Sequence, residues 1–567
     1  MMRSLVLIVG LVLLASSSRA QETCATGEAQ VFLETTQLQV SLFNTGGLFF
    51  GGSTTSGDGY LIPKRDGYSP VFAAGLWVGG RVDGDLRVTG ARYGGYRFRP
   101  GPLDASGQAP ADCAAYDRIY TVSRQDVARY LATGLMSDDL RDWPHQLGAP
   151  VADGDGDPAN YNLAGGDQPE ILGDVNAFWV MNDVGRLRDT TQTGFSWTDP
   201  LGIEVRVLAF AFDPVFSNAL STPTFYRYQI INRSANPIND LYVSMFADVD
   251  LGDAGDDYTG TDTLKNLVYV YNDSNEDSAY GEAPPAWGIQ VLDGFVGLAN
   301  GRDDDFDGTV DEAGEEMLLS TAPVYPKSWG AGFNDPGPPE EYYNMQKGLF
   351  SGGSPVRAFG SGASYRFEDP RGAITVFAFP ADPVQGEFWS EVNVDGQGTG
   401  SPSGDRRMLA STGPGRLLPG ESVELVYGMP YARGSDHLQS VTAMRAQAGA
   451  LSVLYDNGGF DFRSVEAGEY RGGDPEPPER QLELSRVRPN PSAPGHAQAV
   501  LVLPHDTRVR IAVYDALGRQ LEVLVDSELA EGETVLSLPD ELAPGTYVLR
   551  VEVAPGAVET LPFTVVR

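Results

Sequence analysis

Aspartates at alternate positions are the residues of this chain whose type and spacing could do chemistry. The run Asp303-Asp304-Asp305-Phe306-Asp307-Gly308-Thr309-Val310-Asp311-Glu312 puts carboxylates at loop positions 1, 3 and 5 and a glycine at 6. Alternate acids converge as such a loop curls. The glycine allows the sharp turn that brings the next carbonyl, that of Thr309, inward. Asp303, Asp305, Asp307, Thr309, Asp311 and Glu312 are therefore candidate ligands of a hard cation, with calcium (Ca2+) the expected cofactor. Position 12 is Gly314 rather than a bidentate Glu, and no helix pair flanks the run. The closer comparison is with the short Asp-x-Asp-x-Asp-Gly loops of extracellular calcium repeats; the alternative is a solvated acidic loop.

Two more acidic runs invite the same chemistry. Asp153, Asp155 and Asp157 alternate, although Pro158 fills the glycine slot, and Asp167 and Asp174 downstream could complete a site. The segment "DVDLGDAGDDYTGTD" supplies Asp248, Asp250 and Asp253, then Asp256, Asp257 and Asp262. So many carboxylates in one loop repel unless a cation neutralises them or water screens them.

Catalytic constellations are scarce by comparison. The histidines are His145, His437, His496 and His505, and no His-Glu-x-x-His, Gly-x-Ser-x-Gly or paired-cysteine zinc pattern occurs. Cys113 with His145 is a nucleophile pair on residue type alone, but a disulfide cysteine and a surface histidine are the blander account. The glycine-rich 46–57 stretch lacks the strand–loop–helix setting and terminal Lys of a phosphate loop. Carboxylate-based glycoside hydrolysis needs only two acids at a suitable separation, and this chain offers dozens. Trp77, Trp179 and Trp287 could be sugar platforms, yet they sit in strand patterns that point to the core.

The composition agrees with this balance. Against 77 acidic residues stand 40 basic ones, a formal charge of −37, which excludes the basic footprint of a nucleic-acid binder. Glycine (68) and proline (39) make up about a fifth of the chain while aromatics reach 10%, which suits a loop-rich β protein rather than a disordered one. The two cysteines, Cys24 and Cys113, either pair in an oxidising compartment or stay free.

The elements that must position these acids are mostly strands. "AAGLWVGGRVDGDLRVTGARY" reads as a hairpin around Asp83-Gly84, and "NAFWVMND", "IEVRVLAFAF", "NLVYVYND", "ITVFAFP" and "ESVELVYGMPY" read as further strands. "FYRYQIINRSANPINDLYVSMFADVD" predicts two strands joined by a polar turn, as in a Greek-key sandwich hairpin. Helices are expected at 123–135, capped by Ser123 and stopped by Gly134, and at 437–456. The expected fold is mainly β, with one or two large β-sandwich-like domains carrying long acidic loops and a few short helices, plus a small C-terminal β-sandwich. The domain reading is a signal peptide (1–20), an N-terminal β-rich body (21–300), a second β-rich body opening on the acidic loop (301–470), a Pro/Gly linker (471–480) and a C-terminal domain (481–567).

Both ends speak to location. Arg3, the apolar stretch Leu5 to Ala15 and small residues before Gln21 have the form of a secretory signal. No later segment approaches the ~20 apolar residues of a membrane helix. At the other end, Arg488-Pro489-Asn490-Pro491, Val513-Tyr514-Asp515-Ala516-Leu517-Gly518-Arg519, Leu542-Ala543-Pro544-Gly545-Thr546-Tyr547 and the basic terminus resemble the type A C-terminal sorting domain of bacterial type IX secretion cargo. Residues 45–460 ("PVFAAGLWVGG", "FYRYQIINRS", "DVDLGDAGDDYTGTD", "GDRRMLASTGPGRLLPGE") resemble large uncharacterised cargo proteins of Bacteroidota-like bacteria. That family often has cysteine where this chain has Thr261. The resemblance implies Sec export, a partnership of residues 481–567 with the type IX machinery, and a secreted or cell-surface destination, but no reaction. Two functions are then expected: a calcium-binding surface or matrix adhesion protein with a glycan or other surface ligand, or an extracellular glycoside hydrolase-like enzyme on a calcium-stabilised scaffold.

Overall fold

The structure is a computed structural model that describes residues 27–50, 59–93, 98–110, 112–184, 198–213, 220–295, 317–326, 332–358, 373–392, 402–456, 483–484, 498–503, 507–515, 519–529, 532–539, 542–543, 545–553 and 557–565. The expected signal segment, Cys24, the Asp303–Glu312 loop with all six of its candidate ligands, and the 471–480 linker lie outside the described residues. The chain divides into two compact units, Met1–Glu469 and Tyr470–Arg567.

The protein is mainly β. In the larger unit one antiparallel sheet runs Gln30–Glu34, Gln39–Phe43, Gly47–Leu48, Ala73–Val82, Ile238–Val249, Arg406–Leu417, Val324–Pro326. A second runs Asp257–Asp262, Leu267–Asn272, Ala286–Asp293, Ser422–Met429, Thr224–Asn232, Ile203–Ala211, Val175–Asn182, Arg99–Pro100. Strand residues two apart share a face, so Val205/Val207/Ala209, Tyr226/Tyr228/Ile230, Leu425/Tyr427/Met429 and Trp287/Ile289/Val291 form the buried inner face of the second sheet. It packs on the first as a sandwich. Tyr427 Oη donates to the Val243 carbonyl at 3.4 Å, the Tyr60 and Thr224 hydroxyls meet at 3.1 Å, and the Tyr60 ring stands edge-on to Trp287. Trp179 and Trp287 are in this core and Trp77 is buried on the other face of the first sheet, each at most 1% exposed. Each removes roughly 200 Å² from water, about 5 kcal/mol before entropic costs.

A helix covers the outer face of each sheet. Pro339–Gln346 sets Tyr342 against Trp77, which stacks on Phe246 at 4.9 Å. His437–Asp456 buries Val441, Met444 and Ala448 on Leu267, Tyr269 and Tyr271. Another helix, Arg124–Thr133, begins in a capping box in which Ser123 Oγ accepts the Asp126 amide and Asp126 accepts the Ser123 amide, both at 3.0 Å. Gly134, at φ 76°, ends it.

Two expectations are corrected. Strands on both sides of residue 300 share both sheets, so the body is one unit and not a pair divided there. Long-range pairing decides this, and no local pattern carries it. Second, Thr224–Asn232 and Ile238–Val249 do not pair as a hairpin but lie in opposite sheets. The connection folds on itself: Asn232 Oδ1 accepts from the Ser234 amide and hydroxyl, and Asn232 Nδ2 donates to the Asn236 carbonyl. That turns the chain across the sandwich. The Ala73–Val82/Asp85–Gly90 hairpin is as expected, its turn residues Asp83 (φ 53°) and Gly84 (φ 89°) both left-handed as a type I′ turn requires.

The smaller unit pairs Glu483–Leu484, Gln498–Leu503 and Gly532–Ser537 in one sheet. A second sheet holds Gln520–Leu529, Thr507–Asp515, Gly545–Val553 and Ala557–Val565. Leu501, Leu503 and Leu536 of the first share a core with Val509, Ile511, Val513, Leu549, Val551 and Phe563 of the second. This is a small β-sandwich.

Candidate functional site

Two groups of three carboxylates converge among the described residues, each with one ligand oxygen per residue within 4.8 Å of the others. The first is Asp153, Asp155 and Asp167. Its loop closes where Gly154 packs on Gly166, so tightly that a Cβ at 154 would sit 2.2 Å from the Gly166 carbonyl oxygen. Asp167, 1% exposed, accepts the amides of Gly154 (2.9 Å), Asp155 (3.3 Å) and Asn162 (2.6 Å). Asp155 accepts from Asn162 Nδ2 at 2.9 Å and from the Asp157 amide at 3.0 Å, and these bonds hold its carboxyl below the usual range. Asp153 accepts the Gly156 amide at 2.7 Å. Asp157 is not in the group. It accepts the Ala159 amide instead, because Pro158 turns the chain away where glycine would let it curl on. Asp174 is also elsewhere, 3.3 Å from Arg124 and bonded to the Asp213 amide.

The second group is Asp248, Asp250 and Asp405. Asp248 comes from the end of the Ile238–Val249 strand, where alternation puts it on the same face as Phe246 and Ser244. Asp250 follows that strand, and Asp405 immediately precedes Arg406–Leu417. The register sets Asp248 opposite Arg407, whose guanidinium, 2% exposed, contacts Asp248 at 3.0 Å, Asp405, Asp335 at 3.6 Å and the Tyr93 hydroxyl at 3.1 Å. Arg406 points the other way, into Glu391.

Beside this group lies Asp257, fully buried as the first residue of the Asp257–Asp262 strand. One of its oxygens accepts a long bond, 3.4 Å, from the Leu251 amide; Oδ1 has no hydrogen-bond partner. Asp248 Oδ1 likewise receives no hydrogen bond, although it is in ion-pair contact with Arg407. Burial pushes the Asp248 carboxyl up to about 7, with Arg407 opposing and Asp250 and Asp405 adding to it. Burial also drives Asp257 well above the carboxylate range, reinforced by Asp250 and Asp256. Asp256 rises to about 6, chiefly through burial. Asp253 does not join: its amide donates to Asp277 and its carboxylate caps Gly255 and Ser278.

Sequence reasoning thus found Asp153, Asp155, Asp248 and Asp250 and mentioned Asp167, but it missed Asp405 and passed over Asp257. A signal for Asp405 existed. Arg406-Arg407 opens an apolar strand pattern, and two adjacent arginines there point to opposite faces, each needing a buried acid. The other chemistry thins out. Cys113 is disulfide-bonded and no described cysteine is free, so it is no nucleophile for His145. Thr261 is buried and donates to the Ala378 carbonyl at 2.6 Å. No helix among the described residues is long and apolar enough to cross a membrane.

Comparison with known proteins adds little. No family model matches the chain, and no curated protein matches it. Among solved structures, a polysaccharide lyase aligns at 10% identity over 69% of this chain and 39% of its own, with a TM-score of 0.17. The adhesin domain of Epf from Streptococcus pyogenes aligns at 7% identity over 63% of this chain and 87% of its own, with a TM-score of 0.12. This chain spans well under half of the lyase. Likenesses at these scores carry no argument about fold or function.

Proposed function

We propose that this is a secreted or surface-attached β-sandwich protein, stabilised by calcium and serving adhesion to a matrix or to a glycan or other surface ligand. The observation that carries the reading is the Asp248–Asp250–Asp405 group, an all-oxygen cluster of buried and partly buried carboxylates whose three charges face the one guanidinium of Arg407. Oxygen-only donor sets of this kind suit hard cations such as calcium. The Asp153–Asp155–Asp167 loop is a second, more exposed place for one. Export rests on the signal-like N-terminus and on the likeness of residues 481–567 to a type IX sorting domain.

A melt of the full chain tests the cation. Chelator should lower the melting temperature and calcium should restore it, since a ligand at a hundred times its Kd stabilises by about 2.7 kcal/mol. Superimposable melts in chelator and in calcium would sink the reading.

A further inference from the structure

Resting on the adhesion reading, we propose that Arg81, Lys347 and the half-buried Tyr242 form a site for the anionic group, carboxylate or sulfate, of an acidic glycan. Arg81 follows Trp77 and Gly79 at alternate positions of the Ala73–Val82 strand, so it emerges on the face that the Pro339–Gln346 helix covers. Lys347 is the residue that ends that helix. Both cations lie over the ring of Tyr343, the Lys347 ammonium 4.8 Å from its centre and the Arg81 guanidinium 6.0 Å. Gly79 lets the ring sit there, since a Cβ at 79 would stand 2.8 Å from it. The Tyr343 hydroxyl donates to the Asp240 carbonyl at 2.8 Å, and the Tyr242 ring meets Tyr343 edge-on at 5.9 Å. Two neighbouring strands and a helix thus hold the cations and the rings together.

Cations without a carboxylate stand out in a chain with 77 acidic residues against 40 basic ones. Of the three described lysines, Lys64 pairs with Glu34 at 2.9 Å and Lys265 with Asp262 at 3.1 Å. Among the described residues no carboxylate is in ion-pair contact with Lys347 or with Arg81, whose Nη1 donates instead to the Gly84 carbonyl at 2.9 Å. Burial and the neighbouring Arg81 hold the Lys347 ammonium below its ordinary value, with the exposed Asp240 opposing them. Two like charges sharing one ring repel until an anion joins them, and a carboxylate or sulfate has oxygens enough to accept from both. A sugar carrying such a group presents C–H edges that suit the electron-rich face of a tyrosine. The formal charge of −37 repels polyanions at long range, so attraction here is local and short-ranged.

The experiment is titration calorimetry of the full chain with polygalacturonate, dextran sulfate, neutral dextran and polyglutamate. The proteins are wild type, Arg81→Gln, Lys347→Gln, Arg81→Lys and, as a control on an exposed arginine elsewhere, Arg65→Gln. Wild type should bind polygalacturonate or dextran sulfate about tenfold or more tighter than dextran, the better of the two telling carboxylate from sulfate, and less tightly as salt rises. Arg81→Gln and Lys347→Gln should each weaken that binding by about tenfold. Arg81→Lys keeps the charge and should lose no more than about threefold, which separates lost charge from lost fold. Arg65→Gln should bind as wild type does. Affinity intact in both glutamine variants, or an equal loss in Arg65→Gln, overturns the site. Polyglutamate bound as tightly as the better glycan overturns the assignment to a glycan. A wild type that binds neither anionic glycan overturns the site as well, whereas the adhesion reading falls only if the chain also fails to adhere to immobilised cell-surface matrix.

Discussion

Replacing Glu391 by glutamine should be among the most damaging near-isosteric changes to the body. Glu391 is fully buried, and its Oε1 accepts from Arg406 Nη2 at 2.9 Å and Nε at 3.3 Å. Its Oε2 accepts the Thr259 amide at 2.5 Å and the Thr259 hydroxyl at 3.0 Å. Arg406, 3% exposed, spends its other donors on the carbonyls of Pro402 and Gly404. Glutamine keeps one acceptor oxygen and turns an NH2 toward existing donors, and the buried Arg406 guanidinium loses the charge of its hydrogen-bonded carboxylate. Breaking a buried pair from one side costs about 3–5 kcal/mol. In a unit this large, with a midpoint shift of about 1–2 °C per kcal/mol, that is a fall of roughly 3–10 °C. Scanning calorimetry of the full chain reads it directly. The double variant Glu391→Leu/Arg406→Met, which removes both charges, should regain most of the loss, since apolar replacement of both partners is close to neutral. A single variant melting within about 1 °C of wild type, or a double variant no better than the single, would refute the argument.

Two further outcomes are open to test. Burial holds the His437 imidazole below its ordinary 6.5, its Nδ1 lacks a partner, and it sits at the start of the His437–Asp456 helix, where a positive charge opposes the helix dipole. A lowered folded value means that the unfolded chain binds the proton better, so stability is full above pH 6.5 and falls as pH drops below it. His437→Gln should flatten that part of the stability–pH curve, and an identical acid slope in the variant would contradict the assignment. Deleting residues 481–567 should strand the protein in the periplasm, as fractionation and surface labelling would show; unchanged surface display would remove the address function from that segment.

What could be read from the sequence was what local chemistry decides. Ser123, Asp126 and Gly134 mark both ends of a helix within a dozen residues, and Asp83-Gly84 specifies its turn through two left-handed residues. Alternation named Trp77, Trp179 and Trp287 as core. Sheet membership was hidden, because nothing near Asn232 says that the next strand crosses to the other sheet. The candidate site was half legible for the same reason. Asp248 and Asp250 advertise themselves by spacing, whereas Asp405 gains meaning only once Arg406–Leu417 has been laid beside Ile238–Val249.

That late strand also sets the order in which the body can be assembled. Arg406–Leu417 supplies one neighbour of Ile238–Val249, and Ser422–Met429 one neighbour of Thr224–Asn232. A chain emerging from its N-terminus therefore carries two long apolar strands with bare edges until more than four hundred residues have been delivered. Contacts so distant in sequence make for slow folding, because loop closure is imposed before the pairing that rewards it. Exposed edges of this kind are also where one chain pairs with another. Refolding in vitro should accordingly be slow and concentration-limited, with yield set by how long those two edges wait for residues 406–429.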